Sequence, residues 1–322
     1  MKNASECNLN NGLNNGPVIS VEGLSKQFDS IQALCGVSFE VARGEIFGVL
    51  GPDGAGKTTL MRILAGLMDY SAGHVRVAGF DLKAEQPGLS DLIAYMPQRF
   101  GLYEDLTVME NILFYADLYD MRRGEALNAR IEELLEFCRM APFKNRLAGR
   151  LSGGMKQKLG LTCALIHTPE LLLLDEPTNG VDPVSRREFW KILNEMRKSG
   201  LTVFVSTTYL DEAERCNNIA FINHGRIGSI STPQLLKKSS QNLLWRLEVS
   251  DKFRAVEAFK NIEEIKSALV MGPAIHIFTK KDCAKEAVEK IVKNALAPSG
   301  IELNSIGGCE PNLEDIFIER MS

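Results

Sequence analysis

The sequence predicts an α/β fold in which a parallel sheet carries a phosphate-binding loop, followed by a small α+β domain. Three observations predict it. The run Gly51-Pro-Asp-Gly-Ala-Gly-Lys-Thr58 lies between an apolar strand and a helix. Leu171-Leu-Leu-Leu174 is continuously apolar and runs into Asp175-Glu176. Such a strand belongs in the middle of a parallel sheet covered on both faces. After Lys238 the pattern changes to short alternating strands and helices with no cluster of chemically active side chains.

Size and charge narrow the function. With 322 residues and 45% hydrophobic content, the chain can build one large domain and one small one. The formal net charge is -4 and no block of like charge stands out. A general nucleic-acid surface is therefore not expected, since it needs clustered Lys and Arg. Seven cysteines are scattered without a C-x-x-C pair, which suits neither a disulfide frame nor a zinc site. Residues 1–17 are rich in Asn and Gly with no apolar stretch, so a disordered tail is expected rather than a secretory signal. A membrane-spanning helix needs roughly 20 apolar residues. The best stretch, Leu159 to Leu174, is broken by His167, Pro169 and Glu170. The chain is expected to be soluble by itself, with any pore on a different polypeptide.

The elements follow in order. Ile19-Ser-Val21 and Gly36 to Val41 alternate apolar and polar residues, the period of half-buried strands. Glu45 to Leu50 is a buried strand feeding the phosphate loop, and Thr58 to Leu67 a helix ending near Gly66. Residues 98–166 read as a helical subdomain. There, Thr107-Val-Met-Glu110 fits a capping box. Leu127, Ile131, Leu134, Leu135 and Cys138 share one helical face. A helix over Leu151 to Ile166 carries Ser152-Gly153-Gly154 at its start. Asp182-Pro183 opens a helix running to about Ser199. Leu201 to Ser206 is a buried strand, and Asn218 to Asn223 with Arg226 to Ile230 a closing hairpin. In the last domain, taken as residues 239–322, strands are expected over Leu243–Val249, Ala274–Thr279 and Ile301–Ile306. Helices are expected over Phe253–Ile265, Cys283–Leu296 and Leu313–Met321.

The chemistry concentrates in a few segments. A phosphate loop brings backbone amides to triphosphate oxygens. In Gly51, Asp53, Gly54, Ala55 and Gly56 the glycines allow close approach, Lys57 adds charge at the β- and γ-phosphates, Thr58 offers a hydroxyl to Mg²⁺, and Thr59 reaches the α-phosphate. Asp175 is placed to hold Mg²⁺ through water and Glu176 to polarise an attacking water. Gln98 offers a neutral amide to Mg²⁺ or to that water. Ser152, Gly153 and Gly154 start a helix whose free amides and dipole favour an anion. A plain N-cap also explains the serine; the two glycines favour a γ-phosphate held by a second subunit. Phe28 is either an adenine-stacking ring or a core residue.

In this order the motifs resemble the ATP-binding subunits of ABC transporters over about residues 18–237, within an ATPase domain taken as residues 18–238. The resemblance implies a RecA-like parallel core with antiparallel β and helical subdomains, with ATP and Mg²⁺ as cofactors. It implies that Phe28 is the adenine-facing aromatic, residues 152–156 the signature and Asp182 the D-loop acid. Gly101 to Val108, Glu176 to Pro183 and Tyr209 to Glu214 are similar to ABC-2-type exporters. The tail ending Pro311-Asn-Leu-Glu-Asp-Ile-Phe317 is similar to daunorubicin-resistance subunits. The implied protein is an ATP hydrolase at the cytoplasmic face of the inner or plasma membrane. It would work as a homodimer or a paired subunit and energise export through an ABC-2-type permease.

Two positions depart from the family pattern. Thr208 stands in Ser206-Thr-Thr-Tyr209 where family members usually carry a γ-phosphate-contacting His. It donates a hydrogen bond but has shorter reach and no imidazolium. Asp53 stands where Asn is common and is expected to point away from phosphate. Two alternatives stand beside export: a soluble ABC ATPase without a membrane partner, and an ATP-gated regulator with weak hydrolysis, for which Thr208 is the support.

Overall fold

The computed structural model describes residues 16–84, 86–238, 242–260, 262–280 and 283–321. The tail expected over residues 1–17 lies outside them apart from Gly16 and Pro17. The chain divides into two compact units, one ending at Ile230 and one beginning at Ser231, ahead of the Lys238 boundary expected from the pattern.

The first unit opens with β1 (Ile19–Phe28), β2 (Ile31–Val41) and β3 (Ile46–Leu50), then α1 (Lys57–Leu64). β4 (Ala72–Val77), β5 (Phe80–Asp81), α2 (Leu89–Leu92) and β6 (Ile93–Met96) follow. The helical segment holds α3 (Val108–Leu118), α4 (Glu125–Phe137) and α5 (Gly153–Ala164). β7 (Leu171–Asp175), α6 (Pro183–Lys198), β8 (Thr202–Thr207), α7 (Leu210–Ala213), β9 (Asn218–Asn223) and β10 (Arg226–Ser231) complete it.

Two sheets form from these strands. One has the order β2-β1-β4-β5, with antiparallel neighbours. The other has the order β10-β9-β3-β8-β7-β6, in which β3 runs parallel to β8 and β9, and β7 parallel to β6 and β8. Every residue of β3, β7 and β8 is buried, which explains the apolar run of β3 and the four leucines of β7. Phe39 of β2 stacks on Phe47 of β3 and Phe204 of β8 with centroids 5.7 and 5.6 Å apart, tying the two sheets together. Leu60, Ile63 and Leu64 of α1 join that core. Large side chains buried this fully contribute about 1.5–3 kcal/mol each.

Parallel pairing aligns the C-terminal ends of β3, β7 and β8 along one edge. Sites in open α/β sheets lie beyond that edge. The phosphate loop, Glu176 and Thr208 all follow it directly.

The helical segment is set by local signals. Thr107 Oγ1 accepts from Glu110 N at 3.2 Å, and the Glu110 carboxylate accepts from Thr107 N at 2.8 Å, completing the capping box of α3. Leu127, Ile131, Leu134 and Leu135 form the buried face of α4, and Cys138 is buried just beyond it.

The second unit contains α8 (Pro233–Lys238), β11 (Asn242–Val249), α9 (Lys252–Phe259), β12 (Ile265–Met271), β13 (Ala274–Lys280), α10 (Lys285–Leu296), β14 (Leu303–Cys309) and α11 (Leu313–Met321). Its sheet has the order β12-β13-β11-β14, all antiparallel. This is the split β-α-β-β-α-β arrangement of ferredoxin-like domains. Trp245, Leu247, Ile275 and Ile277 of the sheet pack on Phe259, Val288, Val292 and Leu296 of α9 and α10.

One expectation is corrected here. The helix read over Phe253–Ile265 ends at Phe259, and Ile265 opens β12, a strand the pattern did not indicate. Ala255, Phe259 and Ile265 are buried in one core and Ile262 packs against it, so a helical spacing of apolar residues spans a helix and the strand after it.

Candidate active site

The phosphate loop has the geometry its composition requires. Gly54 and Gly56 have φ of 77° and 107°, in the left-handed region that favours glycine. A Cβ on Gly56 would sit 2.6 Å from the Ala33 carbonyl oxygen, so β2 packs directly against the loop. Gly56 then caps α1, which starts at Lys57 and presents free amides to the loop.

Lys57 is buried and fully engaged. Its Nζ donates to the carbonyls of Gly51 and Pro52, each at 2.9 Å, and pairs with Glu176 Oε1 at 3.0 Å. Asp53 Oδ1 is 3.9 Å away on a side chain 95% exposed. The exposed carboxylate contacts Lys57 only at the limit of an ion pair.

Glu176 is held from several sides. It has φ 47°, uncommon for a residue with a Cβ. Its N–H donates to Ser206 Oγ at 3.0 Å. Its Oε2 accepts from Gln98 Nε2 at 3.2 Å and from Asn179 Nδ2 at 3.3 Å. Ser206 Oγ in turn donates to Asp175 Oδ1 at 2.7 Å. Tyr95 OH lies 3.5 Å from Asp175 Oδ2. Burial, and then the Asp175 charge, push that phenol up to about 12, so it stays a neutral donor at physiological pH.

Lys57, Gln98, Glu176 and Asn179 face one cavity of about 540 Å³. Its lining includes Gly54, Lys57, Thr58, Thr59, Gln98 and Glu176. The loop residues, the amide and the carboxylate expected to act together are therefore brought together. Asn179 and His224 also line it and were missed by sequence reasoning. Asn179 is reached through a turn that returns its N–H to the Glu176 carbonyl at 3.2 Å; its position three residues after Glu176 is the only signal the sequence carries.

Other expected residues lie elsewhere. Asp175 is 1% exposed and does not line the cavity. Thr208 is half-buried just past β8 and is not among the lining residues. Phe28 is 41% exposed at the end of β1, with Lys26 Nζ 4.8 Å from its ring centroid; neighbouring Ile31, Gln32 and Ala33 line the cavity and Phe28 does not. Thus it is not a core residue. Asp182 caps α6, accepting from Val184 N and Ser185 N at 3.0 Å, and the Ser185 contacts hold its carboxyl below the usual range.

Ser152 and Gly153 are exposed at the start of α5, outside the cavity. Ser152 Oγ accepts from Met155 N at 3.4 Å as an N-cap. Gly154 has an intramolecular reason to be glycine: a Cβ there would collide with Ser185 of α6. Gly153 has none, since a Cβ would meet nothing nearer than Gly180 O at 4.0 Å. The reading that two glycines exceed what a cap needs therefore rests on Gly153 alone.

The donors at the cavity suit Mg²⁺. Thr58 and Gln98 on its wall and buried Asp175, next in sequence to Glu176, offer oxygen atoms, and Mg²⁺ takes oxygen ligands with few carboxylates and several waters. No group of three or more His, Cys, Asp or Glu side chains suited to a metal occurs among the described residues. A second cavity, about 510 Å³ beside Arg43 and Arg130, contains none of the expected site residues.

Residues 34–179 match the family described as ABC transporter. The chain is 40% identical over 311 residues to the probable multidrug ABC transporter ATP-binding protein YbhF of Escherichia coli, covering 95% of this chain and 52% of that one. It therefore spans about half the length of that relative. It is 32% identical to the linearmycin resistance ATP-binding protein LnrL of Bacillus subtilis, covering 94% and 97%. The daunorubicin/doxorubicin resistance ATP-binding protein DrrA of Streptomyces peucetius is also 32% identical, at 95% and 93% coverage. Among solved structures, an ATP-binding subunit of an ABC transporter superposes with TM-score 0.60 at 30% identity, covering 69% of this chain and 92% of that one. A bacterial ABC transporter cassette solved as a dimer gives TM-score 0.60 at 25% identity, covering 66% and 98%.

Proposed function

The chain belongs to the ABC transporter ATP-binding family, and from that premise we propose that it binds and hydrolyses ATP to energise export through a separate membrane-spanning partner. The observation that carries the reading is the meeting of Lys57, Gln98 and Glu176 at the wall of one cavity with the phosphate loop. ATP places its phosphates on the loop amides and Lys57. Glu176 then polarises a water toward the γ-phosphate, while Gln98 and Asn179 orient its carboxylate. Thr58 and Gln98, with Asp175 through water, would hold Mg²⁺ there, and that cation would supply charge neutralisation at the β- and γ-phosphates.

Ser152 and Gly153 complete the site of a second copy. Their exposure away from their own cavity supports this, as does the likeness to a cassette solved as a dimer. The pair of cassettes is either a homodimer or a pair with a related ATPase subunit. The partner in the membrane is an ABC-2-type permease, a reading supported by the similarity of Gly101 to Val108, Glu176 to Pro183 and Tyr209 to Glu214 to ABC-2-type exporters. No helix among the described residues is long and apolar enough to cross a membrane. The protein would therefore sit peripherally at the cytoplasmic face through that partner.

Two measurements test the reading. Steady-state ATP turnover of the full chain, with Glu176→Gln as blank, should show hydrolysis in the wild type alone. Affinity purification from solubilised membranes should recover a polytopic partner with the chain. Turnover without a membrane partner would leave the soluble-ATPase alternative; ATP binding without turnover would leave the gated regulator.

A further inference from the structure

A second polar cluster lies behind the hydrolytic site and centres on Glu212 of α7. Its carboxylate is 1% exposed. Oε1 accepts from Thr178 Oγ1, and Oε2 accepts from Thr207 Oγ1 at 2.6 Å. Arg186 of α6 sets its Nε 3.6 Å from Oε1, too far for a hydrogen bond but close enough to balance the charge. The same guanidinium lies 4.0 Å over the Tyr209 ring and 3.5 Å from Asp211 Oδ1. Thr207 Oγ1 also accepts from Tyr209 N at 2.9 Å.

The residues so joined are distant in sequence and adjacent to the chemistry. Thr178 lies two positions after Glu176 and four before Asp182. Thr207 ends β8 and immediately precedes Thr208. A buried carboxylate is costly unless its oxygens are satisfied. Here each oxygen is satisfied by one of the two segments. Neither segment can move alone without leaving a buried oxygen unpaired.

We propose that Glu212 is a positioning residue for ATP hydrolysis, clamping the segment after Glu176 to the end of β8 so that Glu176 and Thr208 keep one spacing. The proposal rests on the reading of Glu176 given above. Glu212 does not line the cavity, so it acts through Thr178 and Thr207 and not by touching nucleotide. Catalytic geometry is sensitive to such support, since a displacement of about 1 Å can cost about 10²-fold in rate.

The test uses the full chain and separates binding from turnover. Glu212→Ala is expected to lower kcat about tenfold or more while leaving the affinity for a fluorescent ATP analogue within about twofold. Glu212→Gln keeps the shape and can hydrogen-bond both threonines, because a hydroxyl also accepts; it should restore most of the rate. Thr178→Val, isosteric and off the cavity wall, should lower kcat alone. Combined with Glu212→Ala it should add little, because both remove the same clamp. Unchanged kcat in folded Glu212→Ala with wild-type turnover intact overturns the clamp alone, as does full additivity of the two changes. A wild-type chain that binds ATP without cleaving it overturns the reading of Glu176 and the clamp together. If Glu212→Ala does not fold, Thr178→Val and Glu212→Gln carry the same comparison.

Discussion

Lys57 Nζ stands 3.0 Å from Glu176 Oε1, joining the cation of the phosphate loop to the carboxylate that follows β7. The order β3-β8-β7 places one strand between the elements that carry them. Both side chains are largely withdrawn from solvent, so the pair is weakly screened. A γ-phosphate brought to Lys57 competes with Glu176 for the same ammonium group. Glu176→Gln removes that competition and the base at once. Nucleotide affinity is expected to stay equal or rise, while turnover falls about 10²-fold or more, the scale for losing a positioned base. The variant should also accumulate an ATP-bound dimer. Equilibrium binding and single-turnover hydrolysis on the same preparation check this; wild-type turnover in Glu176→Gln would remove Glu176 from the role.

The two glycines at the start of α5 should separate packing from function. Gly154→Ala drives a methyl into Ser185 of α6. It should cost about 1–3 kcal/mol, the scale of overpacking, and Ser185→Gly should recover part of the loss. Gly153→Ala meets open space and should leave the melting temperature nearly unchanged while slowing ATP turnover. Thermal unfolding beside hydrolysis of the two variants decides the assignment. Equal loss of stability in both would place Gly153 in the packing too.

Legibility in the sequence followed the distance between partners. The phosphate loop, the capping box at Thr107 and the Asp182 cap are contacts within a few residues, so residue type and spacing declare them. β7 was legible because four leucines leave no polar face. β12 was not: Ile265 continues the apolar spacing of α9, and its strand character comes from pairing with Thr279 of β13. The Glu212 cluster was equally hidden. Asp211-Glu212 reads as an ordinary acidic first turn until Thr178, 34 residues away in sequence, is placed against it. Thr208 was singled out by departure from a family pattern, yet its neighbour Thr207 is the one with buried hydrogen bonds.

Thr208 follows β8 but lies off the cavity wall. If it faces the γ-phosphate when two copies close on ATP, Thr208→His should raise the turnover rate or leave it unchanged, and Thr208→Ala should lower it only modestly. Steady-state ATPase rates check both. A collapse in Thr208→Ala matching Glu176→Gln would show that the hydroxyl is essential.

His167 gives the first unit a pH dependence of calculable sign. Its ring stacks on Tyr119 at 3.8 Å, and Nε2 lies 3.1 Å from the Ile93 carbonyl while Nδ1 is buried without a partner. Burial holds its pKa below the ordinary histidine value. Below about pH 6.5 the unfolded chain binds this proton more readily than the folded one, so stability falls as pH drops through that window. Above it the contribution is fully present. Denaturant unfolding between pH 5 and 7.5 should show this loss, and His167→Phe should flatten the curve. An identical slope in the variant would assign it to other groups.

The second unit begins at Ser231, and α8 packs on α11 within it. A cut at Lys238 would therefore strand α8 without its partner helix, whereas a stop after Ser231 leaves β10 complete. Every residue lining the nucleotide cavity lies upstream of that point. The shortened chain is expected to bind ATP with unchanged affinity, because no phosphate-facing group is lost. It should differ in how long the dimer persists after hydrolysis, or in coupling to the membrane partner, since the lost module has its own core. Light scattering with and without ATP, with fluorescent nucleotide binding on both lengths of chain, separates these effects. Lost affinity in a folded shortened chain would mean that the module contributes to the ATP site. Unchanged dimerisation, turnover and transport would mean that it has no regulatory part.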